Sequence, residues 1–576
     1  MLTLGIHDGH TATACLLEDG KILSCISEER ISRKKEHSGF PKEAILECMR
    51  LSNRSIEEVD AVGVCSLMPQ IGSKGWHEPP FYKRLFGHLT KVVPSTVLQS
   101  PKNIKRIHRL SNLLFYKRKR KLLGNLLELG VEENKVSFFE HHLCHAATTY
   151  YTSWYSEQKT LVLTLDGSGD AVCATISIGE NGKLNRIAEI FNYNSICDFY
   201  TYVTTFLGMK PMSHEYKVMG LAPYASDYGR DEIIEKFQNY FRIDPKDPLQ
   251  IQNTSGGWKW RFYKLLQKDL GNARFDIVAG ALQEVFEDVI VAWIKGAIRK
   301  TNVRSLALSG GGFMNVKLND RILNLPEVDQ LFIFPSCGDE SNPIGASILA
   351  AIKHDFPSQK IEKLDMIDWG AAYNNEDIEK AISKLLKGTA YTIKKHGDIN
   401  QVVAEKVADG SVIGRLQGRM EWGARALGNR SIIADAKNPA IIHKINKAIK
   451  MRDFWMPFAP AILQEYRKKY VKLREDYYSP FMTVAPETYN VAWEDIPAGL
   501  HPFDHTARCQ IVDPRNHPSF HDLITKFEKI TGRGGLLNTS FNLHGEAIVM
   551  TPEDAIHTFI NSDLDVLQME DYLVEK

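Results

Sequence analysis

Apolar runs of strand length, punctuated by Asp-Gly turns, set the rhythm of the first half of the chain. Residues 2–7 (LTLGIH) read as a short strand. Asp8, Gly9 and His10 follow, then TATACLLE, an Asp19-Gly20 turn and KILSCISEE. An Asp-Gly dipeptide between two apolar-rich runs predicts a hairpin. The same grammar returns in TLVLTLDGSGDAVCATISIGENGKLNRIAEIF. Here a strand ends at Leu165, the loop Asp166, Gly167, Ser168, Gly169 and Asp170 follows, and two more strands flank a turn at Gly182. Two copies of strand, Asp-Gly loop, strand, turn and strand predict a duplicated α/β unit whose loops face one cleft; the bland alternative is two unrelated hairpins.

Other segments add chemistry to this frame. Residues 304–319 (RSLALSGGGFMNVKLN) run strand, Gly310, Gly311, Gly312, then helix, so backbone amides at a helix start can approach a nucleotide, although neither a GK[ST] nor a GxGxxG pattern is present. FEHHLCHAA, residues 139–147, sets His141 and His145 four apart at the start of a predicted helix, where two imidazoles share a face and can close on one metal ion. FIFPSCGDESNPIGA places Asp339 in a polar loop between a strand and a small-residue helix, where it either completes a two-histidine site or caps that helix. MSHEYKVMGLAPY, with His214, Glu215 and Lys217, has the composition of a cleft-lining loop rather than a core helix. A basic stretch with Lys102, Lys105, Arg106 and Arg109, followed by KRKRK at 117–121, is expected as solvated helix faces.

Beyond a linker at HDFPSQKIEK the pattern changes. A helix and a strand ending near Leu416 lead into a loop with Arg415, Arg419, Arg425 and Arg430 among Gly414, Gly418, Gly423 and Gly428. Guanidinium forks and close-approaching amides make an anion-binding composition, and Glu421 is the only acid between Arg415 and Arg430. Lys447, Lys450 and Arg452 precede an aromatic-proline segment, and Arg508 and Gln510 follow in HTARCQIVD. In LLNTSFN, Asn538, Ser540 and Asn542 occupy alternate positions, a polar strand face suited to a pocket wall.

Length and charge bound the function. A chain of 576 residues needs two or more domains. With 43% hydrophobic and 24% charged residues it is globular, and a net charge of +1 argues against a chain built to grip nucleic acid or an anionic membrane. Nine scattered cysteines without CxxC spacing imply reduced thiols in a cytoplasmic protein and no disulfide framework. The N-terminus has no basic region ahead of an apolar run and reads as a strand, not a signal peptide; no 18-residue apolar run predicts a membrane span.

Taken together, EHHLCHAA, LTLDGSGD, KVMGLAPY, LSGGGFMNVKLN, GRMEWGARALGNRSI, FWMPFAPA and LLNTSFN, in this order, resemble the NodU/CmcH family of O-carbamoyltransferases over almost the whole length. The resemblance implies a duplicated actin-like ATP-binding (ASKHA) α/β domain over residues 1–360 and a YrdC-like α/β domain over 361–576. It implies carbamoyl phosphate and ATP as substrates, with Mg(II) for the ATP. Carbamoyl-adenylate is made in the YrdC-like half. The actin-like half then transfers the carbamoyl group to a small-molecule hydroxyl at a divalent metal, Fe(II) in type.

Carried onto this chain, the metal ligands are His141, His145 and Asp339, with the Cys144 thiol lying between the histidines. The adenylate loops are Gly167 to Asp170 and Gly310 to Asn315, with Lys217 nearby. Arg415, Arg419, Arg425, Arg430, Lys450, Arg452 and Arg508 would neutralise phosphates during adenylation. Gln510, Asn538 and Ser540 would fix the carbamoyl amide. Asp8 or His10 is the candidate general base for the acceptor hydroxyl, with His37 a weaker member of the site. The family admits a homodimer; neither nucleic acid nor membrane is expected as a partner. Two rival readings are a tRNA base as acceptor, and a non-catalytic actin-like ATP switch that docks a protein through KRKRK; the second leaves the arginine-rich half unexplained.

Overall fold

The computed structural model describes residues 1–68 and 116–576. Lys102, Lys105, Arg106 and Arg109 lie outside the described residues. The chain divides into two α/β units, one of Met1–Leu23 with Glu36–Leu364, the other of Ser24–Lys35 with Asp365–Lys576. The division falls at Leu364, near the expected 360, but the stretch Ser24–Lys35 departs from the expected boundaries. It joins the second unit because its polar groups are satisfied there: Arg30 Nη2 donates to Gly423 O at 2.7 Å, and Arg33 donates to Ile548 O at 2.7 Å and Ala547 O at 2.8 Å.

The first unit is built on two five-stranded sheets with the same topology; the third strand of the first sheet runs on into the stretch Ser24–Lys35 that is counted with the second unit. One contains β1 (Leu2–His7), β2 (Thr13–Glu18), β3 (Lys21–Ser27), β4 (Ala61–Cys65) and β5 (Val136–Phe139) in the order β3-β2-β1-β4-β5. The other contains β6 (Thr160–Gly169), β7 (Val172–Glu180) and β8 (Lys183–Phe191). After a small hairpin of β9 (Phe241–Ile243) and β10 (Ile251–Asn253), it is completed by β11 (Ser305–Ser309) and β12 (Gln330–Ile333), in the order β12-β11-β6-β7-β8. In each sheet the first strand pairs antiparallel with the second and parallel with the fourth, and the fourth pairs parallel with the fifth. The Asp-Gly grammar is therefore a duplication in space, the actin-like arrangement.

The helices that follow the two sheets are exchanged between them. The helix His141–Thr152 follows β5 in sequence but packs on β6, β7 and β11; the helix Asn342–Lys353 follows β12 but packs on β1, β2 and β4. The two helices also pack on one another. Close approach is made by glycine: a Cβ on Gly63 in β4 would lie 2.0 Å from Ala346 O, and one on Gly5 in β1 would lie 1.7 Å from Pro343 O, both backbone atoms of the second helix. Gly63→Ala is expected to destabilise the protein by about 1–3 kcal/mol or more through overpacking against a backbone that cannot step aside; denaturant unfolding of the full chain measures it.

Composition misled at Met212–Tyr224. Instead of a loop, Glu215–Leu221 is helical, with Val218, Gly220 and Leu221 buried, because its apolar face packs on the long helix Phe275–Thr301. All nine cysteines are free thiols and eight are buried. No helix among the described residues is long and apolar enough to cross a membrane.

The second unit is the one the resemblance assigns to a YrdC-like domain. Its strands are β13 (Thr392–Lys395), β14 (Ile413–Leu416), β15 (Arg430–Ala434), β16 (Ala459–Leu463), β17 (Gln510–Val512), β18 (Gly535–Ser540), β19 (Val566–Met569) and β20 (Tyr572–Glu575), in one mixed sheet ordered β13-β20-β19-β14-β15-β18-β16-β17. The helices Ile399–Ala408 and Pro518–Thr531 pack together over a core that includes Val403, Val407, Phe520, Ile524, Ile433 and Leu536.

Candidate functional site

The helix His141–Thr152 starts under tight control. The Glu140 carboxylate accepts from the His142 and Leu143 amides at 3.1 and 2.7 Å, and the Asp170 carboxylate accepts from the His141 amide at 2.9 Å. Its first turns carry His141 and His145 on one face, both fully buried. Their Nε2 atoms lie 3.2 Å apart. Each Nδ1 meets a hydroxyl: His141 meets Ser66 Oγ at 3.2 Å, and His145 meets Ser309 Oγ at 3.2 Å.

Two carboxylates complete the cluster. Asp166 Oδ2 is 3.1 Å from His141 Nε2 and 3.5 Å from His145 Nε2; Asp339 Oδ1 is 3.4 and 3.6 Å from the same atoms. One donor atom from each of the four side chains lies within 4.8 Å of the others. Gly169 gives the imidazole its room, since a Cβ there would lie 2.0 Å from His141 Cδ2.

This donor set fits a divalent cation. Burial alone would pull His141 and His145 down, but the Asp339 and Asp166 carboxylates outweigh it, holding His141 well above and His145 above the usual imidazole range. Burial would likewise raise Asp166, yet its hydrogen bonds to the two imidazoles hold it well below the carboxylate range. Two carboxylates facing two imidazole nitrogens in a buried space form a donor set whose two negative charges a dication can balance once the facing nitrogens are free of protons. The hydroxyl partners on Nδ1 orient both rings, as supporting groups behind metal-bound histidines do.

His142 has no share in this site. Its Nδ1 meets Thr164 Oγ1 at 2.8 Å and its Nε2 meets Val172 O at 3.0 Å, and burial, with the His141 charge, lowers it to about 3. Cys144 points elsewhere, into an apolar cluster with Cys65, Ala346, Phe139 and Leu349.

The other sequence-derived residues of the first unit fall into distinct places. Asp8 is ion-paired with Arg118, whose Nε lies 3.3 Å from Asp8 Oδ2 and whose Nη2 also binds Cys65 O at 2.9 Å. Within KRKRK, therefore, Arg118 is a buried structural cation. The His10 carbonyl lies 3.1 Å from Nε2 of His7, and the His10 ring is within electrostatic reach of Glu36, Glu215 and Glu340, with its Nδ1 buried and unpartnered. His37 contributes its carbonyl to the Ala12 amide at 2.8 Å.

Asp170 is spent on backbone amides, accepting from Leu67 at 2.9 Å and Met68 at 2.7 Å as well as from His141. The Gly167 amide lies 2.7 Å from Asp166 Oδ1, and Ser168 Oγ accepts from Asn192 at 3.3 Å. Gly310 has φ +104°, and a Cβ there would lie 2.3 Å from Leu165 O, while a Cβ on Gly311 would lie 3.0 Å from Asp166 Oδ1 and one on Gly312 would lie 2.6 Å from the Leu165 side chain. The glycine turn is thus folded directly against the Asp166 loop. Asn315 caps the helix Val316–Leu323 by accepting from the Leu318 amide at 3.1 Å. Lys217 is half-buried on the helix Glu215–Leu221.

In the second unit the basic residues separate into two classes. Arg415 and Arg430 are fully buried and committed. Arg415 donates to Gly428 O at 2.9 Å, Gln568 Oε1 at 2.7 Å and Ser519 Oγ at 2.9 Å. Arg430 donates to five backbone carbonyls, among them Ala371 O at 2.9 Å and Met550 O at 3.3 Å. The reading of both as phosphate ligands is corrected: loop carbonyls have taken their donors, and they hold the loop rather than an anion. Glu421 does the same from the acid side, its Oε1 accepting from the amides of Leu427, Asn429 and Arg430 at 2.7, 3.2 and 3.1 Å.

Arg419 is exposed, while Arg425, Arg452 and Arg508 are half-buried. Arg452 donates to Thr539 Oγ1 at 2.9 Å and lies over the Phe458 ring at 4.7 Å. Lys450 is buried, with its ammonium 3.1 Å from Ser540 Oγ and 2.7 Å from Asn542 Oδ1. Burial, with the Arg452 and Lys35 charges, pushes it well below the usual lysine range. Beside it on β18, Asn538 donates to Ala426 O at 3.0 Å and to Gln510 Oε1 at 3.2 Å, and Gln510 donates to Leu427 O at 2.9 Å. Asn538 Oδ1 is buried without a partner.

Residues 2–348 match the family model described as the carbamoyltransferase N-terminus, and residues 404–576 match that of the carbamoyltransferase C-terminus. The chain belongs to the carbamoyltransferase family. It is 34% identical over 495 residues to an uncharacterized protein of Methanocaldococcus jannaschii, covering 82% of this chain and 80% of the other. It is 28% identical over 583 residues to the nodulation protein NolNO of Sinorhizobium fredii, covering 99% and 79%. It is also 28% identical over 251 residues to the 3'-hydroxymethylcephem-O-carbamoyltransferase of Streptomyces clavuligerus, covering 44% and 45%.

For this carbamoyltransferase, three contributors were missed from sequence. Asp166 opens the Asp-Gly loop after the strand that ends at Leu165 in the sequence reading, and its repeat partner Asp8, at the matching place after β1, is the sequence signal for it. Ser66 and Ser309 carry no motif and emerge only from the fold.

The second unit also holds an acid with an unusual proton. Burial, then the neighbouring Glu421 charge, raises Asp368 to about 7. A carboxyl whose folded value exceeds its unfolded one contributes stability below the unfolded value, near 4, that is lost as pH rises towards 7. Asp368→Asn is therefore expected to flatten the fall in thermal midpoint between pH 5 and pH 8, read by calorimetry of the full chain.

Proposed function

We propose that this carbamoyltransferase is an ATP-dependent O-carbamoyltransferase that forms carbamoyl-adenylate and transfers its carbamoyl group to a hydroxyl of a small-molecule natural product. The observation that carries the reading is that its two units hold chemically different sites. One has a buried His2Asp2 cluster, the other a buried lysine with carboxamide neighbours.

Carbamoyl phosphate is a poor donor to an alcohol, and a mixed anhydride with AMP is a better one. In the second unit, water cleaves carbamoyl phosphate to carbamate and inorganic phosphate, a carbamate oxygen attacks the α-phosphorus of ATP, and the bond to the leaving pyrophosphate breaks. Lys450, desolvated and short of an anion, is the group whose charge is best restored by a phosphate; Arg419, Arg425, Arg452 and Arg508 supply further positive charge. Asn538 and Gln510 present amide groups that match the carbamoyl group, and the unpartnered Asn538 Oδ1 accepts from its NH2.

In the first unit His141, His145, Asp166 and Asp339 would hold a divalent ion, iron(II) by resemblance, which when bound supplies Lewis acidity. The acceptor oxygen attacks the carbamoyl carbon, the carbon–oxygen bond to AMP breaks, and the hydroxyl proton passes to a base. His10 suits that task better than Asp8, whose carboxylate is already neutralised by Arg118. In the glycine turn folded against the Asp166 loop, the Gly310 amide donates to Cys337 O at 2.8 Å, and the amides of Gly311 and Gly312 are the ones offered to the adenylate phosphate. The test is carbamoyl-phosphate-dependent release of pyrophosphate from ATP by folded, metal-replete protein; its absence would sink the adenylate route.

A further inference from the structure

Asp339 and Asn342 lie three residues apart where the short turn Asp339–Ser341 runs into the helix Asn342–Lys353. That spacing puts both side chains on one side of a continuous helical turn. Asp339 reaches the histidine cluster from there, and so does Asn342. Its side chain is fully buried, with Nδ2 3.2 Å from His145 Nε2, while its Oδ1 is buried with no hydrogen-bond partner. A buried carboxamide with one end on an imidazole nitrogen and the other on nothing is half-satisfied, and an orphaned buried acceptor costs about 1–3 kcal/mol.

The arrangement suits only a neutral His145 that holds no metal. The nitrogen that Asn342 faces is the one His145 turns towards the cluster centre, and its lone pair cannot serve a cation and an N–H donor together. An NH2 group beside a dication is also repulsive. Carboxamide oxygen and nitrogen are nearly identical in shape and exchange places by a half-turn of the terminal torsion. That half-turn brings the orphaned oxygen to the cluster.

Resting on the metal reading above, we infer that Asn342 is a fifth ligand of the metal centre, giving a His2Asp2Asn donor set through its Oδ1. Carbonyl oxygens of carboxamides are ordinary ligands of hard and borderline divalent ions. The added donor is neutral, so the two carboxylates still balance one dication and the buried site carries no net charge. An ion that takes six donors is left with one open position, which restricts the substrate to a single metal-bound atom and makes its orientation depend on the protein.

The test uses the full chain stripped of metal and titrated with Co2+, read by visible absorption and calorimetry. Asn342→Leu, close in size but without a donor, is expected to weaken Co2+ binding by about 10-fold or more and to change the ligand-field bands. Asn342→Asp, which keeps an oxygen in place and adds charge, is expected to bind Co2+ more tightly than wild type. Circular dichroism establishes that each variant is folded; if the leucine variant is not, the aspartate variant decides. Wild-type affinity and bands in Asn342→Leu, or unchanged or weaker binding in folded Asn342→Asp, would overturn the inference. Failure of the wild type to bind Co2+ at all would instead overturn the metal reading beneath it.

Discussion

Replacing His141 and His145 together by alanine is expected to cut carbamoyl transfer steeply while leaving carbamoyl-phosphate-dependent pyrophosphate release intact. Both imidazoles point their Nε2 atoms into the same cluster, and nothing else at that centre replaces them: His142 is tied to Thr164 and Val172, and Cys144 lies in an apolar cluster. The loss in transfer from supplied carbamoyl-adenylate is set at about 10²–10³-fold, the several kcal/mol that Lewis-acid charge stabilisation contributes. Removing the two imidazoles beside Asp166 and Asp339 also strands two buried carboxylates, so circular dichroism must accompany the assay, and His145→Gln offers a gentler form of the same change. Loss of both half-reactions in a folded variant would contradict a division of labour between the units.

Lys450→Met should give the opposite pattern. Methionine fills nearly the same volume but removes both the cation and the donor that Ser540 and Asn542 share, so circular dichroism must show the variant folded. Adenylate formation, followed as pyrophosphate release, is expected to fall by about 10²–10³-fold, the range for removing one preorganised electrostatic donor. Transfer from supplied adenylate should persist. A variant that still adenylates at the wild-type rate would move the phosphate-binding role away from Lys450.

Much of this was legible in the chain because the informative signals are local. The Asp-Gly punctuation marked β1 to β3 and β6 to β8, and the four-residue spacing of His141 and His145 marked a shared helix face. What was not legible depends on partners remote in sequence. Arg415 and Arg430 look like anion ligands by composition, yet carbonyls of their own loop and of residues as distant as Ala371 and Met550 have claimed them. Arg118 belongs to a basic run that reads as solvated, and only the fold reveals Asp8 as its counter-ion. Glu215–Leu221 was misjudged because its few apolar residues matter only once the long helix Phe275–Thr301 lies against them.

The exchange of helices between the two sheets bears on how the chain is made. When the first 150 residues have left the ribosome, β1, β2 and β4 exist but the helix that covers them, Asn342–Lys353, has not been synthesised. The helix His141–Thr152 has emerged with nothing yet to rest on, since β6, β7 and β11 come later. Each half therefore waits for the other with apolar surface bare, a state that favours chaperone binding and exposes the chain to aggregation. The cluster of His141, His145, Asp166 and Asp339 draws on segments nearly 200 residues apart, so the full four-residue donor set does not exist on a growing chain until Asp339 has been added.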